Sequence, residues 1–134
     1  MKIVIPGEPR TKKNSQQILI NKATGRPFIM PSKEYKAYEK HCAMFMPKLK
    51  TPINYPVNVQ CLFYRSTKRR VDLINLIECV ADILVTYKVI ADDNRNVMYS
   101  VDGSRVFLDR NKPRVEIIIG EVKEEIERWN KCDK

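Results

Sequence analysis

The segment KRRVDLINLIECVADILVTYKVIADDNR, residues 68–95, limits what this chain can fold into more than any other stretch. From Asp72 to Tyr87 it contains neither proline nor glycine, and its apolar residues recur at helical spacing. Leu73, Leu76, Ile77, Val80, Ile83, Leu84 and Tyr87 fall within one arc of a helix, a broad face that must pack on other elements. Asp72, Asn75, Cys79, Asp82 and Thr86 fall on another arc, so carboxylates and an amide line one side. Ile74, Ala81 and Val85 lie on neither. An apolar strip there implies that the helix is covered on its second side too, another subunit being one way to cover it.

The remainder supplies strands for that helix to pack on. Lys2 to Ile5 reads as a short strand stopped by Pro6-Gly7, followed by a basic loop, EPRTKKNSQQ. Ile18–Ile20 and Phe28–Met30 flank the turn-rich NKATGRP, which predicts a hairpin. Ser32 is a good N-cap for a helix carrying Tyr35, Tyr38, Cys42 and Phe45, ended by Pro47. YPVNVQCLFYR alternates, with Val57, Val59, Cys61 and Phe63 on one face and Asn58, Gln60 and Tyr64 on the other. NVMYSV and SRVFLD read as two strands around a tight turn at Asp102-Gly103, and RVEIII as another, ended by Gly120. The tail EVKEEIERWN places Val122, Ile126 and Trp129 on one stripe of a short helix. At 134 residues the chain makes one domain, residues 1–134, of the α+β kind: a mixed sheet with packed helices.

Twenty-five Lys and Arg against sixteen Asp and Glu point to a polyanionic partner, nucleic acid first, with a merely solvated basic surface as the alternative. Cys42, Cys61, Cys79 and Cys132 lie too far apart for a zinc site, and reduced, buried thiols in a cytoplasm fit them better. No segment approaches the ~20 apolar residues of a membrane span, so a soluble intracellular protein is expected.

In so basic a chain, the adjacent Asp92 and Asp93 need explaining. Read singly, Asp92-Asp93 is an ordinary turn and Asp72 an N-cap beside Lys68, Arg69 and Arg70. Read together, a helix-start Asp and a later Asp pair around a basic cluster suit Mg²⁺. That ion takes one or two carboxylates with phosphate oxygens and water, and would supply the missing counter-charge.

RRVDLINLIECVADILVTYKVIADDN resembles the signature of the RusA-type Holliday-junction resolvases, crossover-junction endodeoxyribonucleases of bacteria and phages. That signature has an Asp-x-Asp-Asn-Leu-x-Lys helix start, a further Asp along the helix, and Asp-Asp after it. Asp72, Asn75, Leu76, Asp82 and Asp92-Asp93 match without a gap, and IPGEPRTKKNS and NKPRVEIII look like the family's ends. The resemblance implies a homodimer of α/β subunits that binds four-way junctions and nicks them with Mg²⁺, or Mn²⁺ in its place. It implies Asp72 and Asp93 as metal-binding carboxylates, with Asp92 adjacent as the ligand of any second ion. Lys12, Lys13, Asn14, Lys68, Arg69 and Arg70 are expected on the DNA, the cations holding backbone phosphates.

Two positions depart from the family. Its second helix Asp is Ile74 here, and its Lys is Glu78. Glu78 lies one helical turn beyond Ile74, so its longer side chain is expected to replace the missing carboxylate as a catalytic residue with Asp72 and Asp93. Asp82, about 15 Å along the axis from Asp72, reads as a supporting residue. Two rivals remain: a junction-binding protein with a decayed metal site, and a single-strand binder stacking bases on Tyr35, Tyr38 and Tyr64.

Overall fold

The computed structural model describes residues 1–12 and 16–122. Its main sheet is mixed, with β1 (Lys2–Pro6), β7 (Arg114–Glu121) and β4 (Val57–Arg65) running antiparallel in that order. β5 (Met98–Ser100) and β6 (Arg105–Leu108) share the free edge of β4. A separate hairpin, β2 (Gln16–Ile20) with β3 (Pro27–Pro31), forms where expected.

Alternation decides which side of the sheet is core. Ile3 and Ile5 of β1, Val115, Ile117 and Ile119 of β7, and Val57, Val59, Cys61 and Phe63 of β4 are all buried. The register sets them in rows, Ile3 opposite Ile117 and Ile117 opposite Cys61. The helices α1 (Lys33–Ala43) and α2 (Leu73–Thr86) contribute Tyr35, Tyr38, Cys42, Leu76, Val80, Ile83 and Leu84 to the same core. Ser32 caps α1 through Oγ, which accepts from the Tyr35 N–H at 3.2 Å. Tyr35 and Tyr38 are buried, which removes them as a stacking platform. Tyr64 instead stacks on Phe107, ring centroids 4.9 Å apart, beneath the Arg114 guanidinium. Cys42, Cys61 and Cys79 are free buried thiols; burial pushes the first two up to about 12 and Cys79 up to about 11.

Four expectations need correction. NVMYSV and SRVFLD do not pair with each other: β5 and β6 both run parallel to β4, so the chain kinks at Asp102-Gly103 without reversing. The outward-facing Asn58 side chain and a backbone N–H of β4 hold the kink. Asn58 Oδ1 accepts from the Asp102 N–H (2.7 Å) and the Ser100 hydroxyl (2.6 Å), while the Cys61 N–H donates to Ser104 Oγ (2.9 Å). Gly103 has φ +83°, and a Cβ there would stand 2.6 Å from Gln60 Nε2. Gly120 does not end its strand; it pairs with Asn58 inside the ladder. Cys79, placed on the polar arc, is buried and meets the Tyr35 hydroxyl at 3.5 Å, because α1 covers that flank. Ala81 is buried and Val85 half-buried, so of the supposed second apolar strip only Ile74 is widely exposed, at 62%. The strip therefore gives no reason to expect a second subunit. The tail stripe through Ile126 and Trp129, and Cys132, lie outside the described residues.

Because β4 and β5 are parallel, a crossover must join them, and α2 is that crossover. No helix is long and apolar enough to cross a membrane among the described residues.

Candidate active site

The first turn of α2 is fixed by Asp72. Its backbone is extended, and its Oδ1 accepts from the Ile74 N–H at 3.0 Å. It is thus an N-cap, as its place before the apolar run suggests. One carboxylate oxygen is engaged there. Immediately before it, Lys68, Arg69 and Arg70 are all exposed.

The last turn closes by a Schellman pattern, in which the Val89 N–H donates to the Leu84 carbonyl (2.9 Å) and the Lys88 N–H to that of Val85 (3.1 Å). Lys88 takes the left-handed conformation, φ 59°, where glycine is usual. Buried Val89 and Ile90 follow, and the latter forms a parallel bridge with Ile53. The Ile53 N–H donates to Val89 O and the Ala91 N–H to Ile53 O, both at 2.9 Å. Those two bonds aim the chain just before Asp92-Asp93.

The pair then divides its work. Asp92 turns inward on its own loop: Oδ1 accepts from the Asp93 N–H (2.7 Å) and Oδ2 from the Asn94 side-chain amide (3.1 Å). Asp93 faces α2. With Glu78, Asp82, Ile74 and Met98 it lines an open cavity of about 380 Å³. Glu78 and Asp82 are one turn apart, hence on one face. Partial loss of water, then the hydrogen bond to and charge of Asp92, and the charge of Asp82, hold the Asp93 carboxyl above its ordinary range. A second cavity, about 310 Å³, shares Asp82 and Asp93 and is lined also by Lys12 and Glu39.

Of the expected catalytic residues, therefore, Glu78 and Asp93 are brought together, and Asp72 is not among the residues lining either cavity. It is tied to the rim through Ile74, which does line the larger one. Asp82 has a larger place than its distance from Asp72 suggests, since it borders both cavities. The signal for it lies in its spacing from Glu78, four residues earlier on the same helix face. Among the described residues no three His, Cys, Asp or Glu side chains stand close enough to hold a metal unaided. Lys13 and Asn14 lie outside the described residues.

The basic segments before α2 and after β1 are tied together. Glu8 Oε2 accepts from the Ser66 N–H at 3.1 Å, Glu8 pairs with Arg65 Nε at 3.7 Å, and the Arg65 guanidinium donates to the Arg69 carbonyl.

No curated protein matches the chain. The family model described as Endodeoxyribonuclease RusA matches residues 6–120 of 134. That span runs from the end of β1 through both helices to near the end of β7, and takes in both cavities and the basic segments. The chain belongs to the RusA endodeoxyribonuclease family.

Proposed function

We propose that this protein is a metal-dependent, structure-selective endodeoxyribonuclease that resolves Holliday junctions by paired nicks, acting as a homodimer in DNA recombination and repair. The observation that carries the reading is the meeting of Glu78, Asp82 and Asp93 around one open cavity, in a chain of net charge +9.

The donors suit Mg²⁺. They are all carboxylates, the ligands of a hard cation, and the Asp93 carboxyl is held above its ordinary range first by partial loss of water and then by the hydrogen bond and charge of Asp92. Asp93 and Glu78 would hold the ion from the cavity that they line with Asp82, and Asp72, one carboxylate oxygen of which caps α2, is the further ligand that the family resemblance implies. Asp92, which shapes the turn by accepting from the Asp93 N–H and the Asn94 amide, would be the extra ligand of a second ion. When bound, the ion supplies positive charge that activates water and stabilises the leaving oxygen.

In the reaction a water oxygen bonds to phosphorus as the P–O3′ bond breaks, and the proton lost by the water ends on the departing 3′ oxygen. The carboxylates orient the water and accept its proton in passage. Lys68, Arg69 and Arg70 hold the backbone of the arms, which gives affinity without sequence information.

The test is nicking of a synthetic four-way junction with Mg²⁺ or Mn²⁺ against EDTA, with linear duplex and single strand as controls. Paired nicks confined to the junction and abolished by EDTA are expected. Junction binding with no cleavage in either metal would replace this reading by that of a non-catalytic junction binder, which Ile74 at the cavity mouth would then explain.

A further inference from the structure

The carboxylate cavities pose an electrostatic problem. Glu39, Asp82 and Asp93 line the smaller one, and a phosphodiester brought there meets charge of its own sign. Of the described residues lining the two cavities, Lys12 alone is cationic. We propose that Lys12 is a catalytic residue of this site, its ammonium holding a non-bridging oxygen of the scissile phosphate beside Asp82 and Asp93. The inference deepens the endonuclease reading and rests on it.

Lys12 is held where this work requires. The segment that carries it is held at four points, Gly7, Glu8, Pro9 and Thr11. The Gly7 N–H donates to Pro113 O (2.9 Å), Glu8 is bound to Ser66, and Pro9 and Thr11 are buried. Lys12 itself is half-buried and lines one cavity with Asp82, Val85 and Thr86 of α2. Its charge is felt inside the fold, where it opposes, in small part, the burial that raises the Cys79 thiol. A lysine on a pinned segment loses less freedom on binding a phosphate than one on a loose arm.

Lys68, Arg69 and Arg70 offer the contrast. They are exposed, and they precede α2 by the end remote from Asp82, about 15 Å along the helix axis from it. Cations so placed grip the arms of the substrate; Lys12 meets the reacting phosphate. With DNA the ammonium meets the phosphate oxygen in the cavity that Lys12 lines together with Glu39, Asp82 and Asp93.

Three full-length variants, Lys12→Ala, Lys12→Gln and Lys12→Arg, test this with two readouts. The first is Mn²⁺ binding without DNA, followed by electron paramagnetic resonance. Loss of a repelling ammonium should tighten Mn²⁺ in the Ala and Gln variants by about threefold or more. The second is the single-turnover nicking rate at saturating junction and Mg²⁺. It should fall about 10- to 100-fold in both, with the junction Kd changed only a few-fold, and recover in part in Lys12→Arg.

Weaker junction binding at an unchanged saturated rate would make Lys12 a peripheral phosphate ligand and overturn the proposal. Unchanged Mn²⁺ affinity would place it away from the carboxylates and do the same. A lowered melting temperature in both Ala and Gln variants, in step with the lost rate, would show a structural role instead. Wild-type protein that nicks no junction would overturn the endonuclease reading and the reaction assigned to Lys12. In that case the Mn²⁺ shift still reports whether the ammonium faces the carboxylates.

Discussion

At its N-terminal end α2 is held by one side chain, Asp72 on the Ile74 N–H, behind three exposed cations. At its C-terminal end it is closed by two Schellman hydrogen bonds and then by the Ile53–Ile90 bridge. The first end is local and solvated. The second is tied to a distant segment and leads directly to Asp93. Under the endonuclease reading proposed above, the difference separates two tasks. Grip on a flexible polyanion tolerates adaptable charges, because counterion release depends weakly on geometry. Metal-assisted hydrolysis does not tolerate them, since a misplacement of about 1 Å costs rate steeply.

The hardest test of that division is Asp93→Asn. It should lower the single-turnover nicking rate by about 100-fold or more while leaving junction binding unchanged or tighter, since it removes a ligand and a negative charge near phosphate. Wild-type-like nicking by this variant would take Asp93 out of the site and dissolve the comparison.

Glu78 comes next. Glu78→Gln should raise the Mg²⁺ concentration for half-maximal rate about tenfold, and Ile74→Asp in that background should recover part of the loss, because both positions line the same cavity. A silent Glu78→Gln at limiting Mg²⁺ would leave Asp82 and Asp93 as the cavity's ligands.

At the opposite end of α2, replacing Lys68, Arg69 and Arg70 together by Ala should weaken binding to any DNA. The slope of log K against log salt should flatten by up to ~0.9 for each phosphate no longer neutralised, with the saturated rate nearly unchanged. An unchanged slope would confine these residues to balancing Asp72 within the fold.

The smallest effect belongs to the helix end. Lys88→Gly relieves a left-handed φ at a position suited to glycine, at some entropic cost in the unfolded chain, and should raise stability by about 0.5 kcal/mol with activity intact. Urea unfolding measures it, and a loss of stability would show that the Lys88 side chain supports the turn.

Much of this architecture is legible in the chain because the deciding interactions are local. Asp72 as N-cap, Ser32 as N-cap, the buried alternation of β4 and the Leu76–Leu84 core face all follow from residues within a turn or two of one another. The Asp92-Asp93 repulsion is visible there too, and part of its answer is local: Asp92 is held by the Asp93 N–H and the Asn94 amide.

Long-range partners settled the rest. Asp102-Gly103 carries a hairpin signature, yet Asn58, Ser104 and the open edge of β4 outcompeted pairing between the two flanking strands. Asp82 gained its place when the Ile53–Ile90 bridge brought Asp93 beside it, and Lys12 when buried Pro9 and Thr11 brought the N-terminal loop to the same helix. Periodicity reports which way a side chain points along its own element. It carries no information on which distant backbone arrives to face it, and in this molecule the two carboxylate-lined cavities are made of such arrivals.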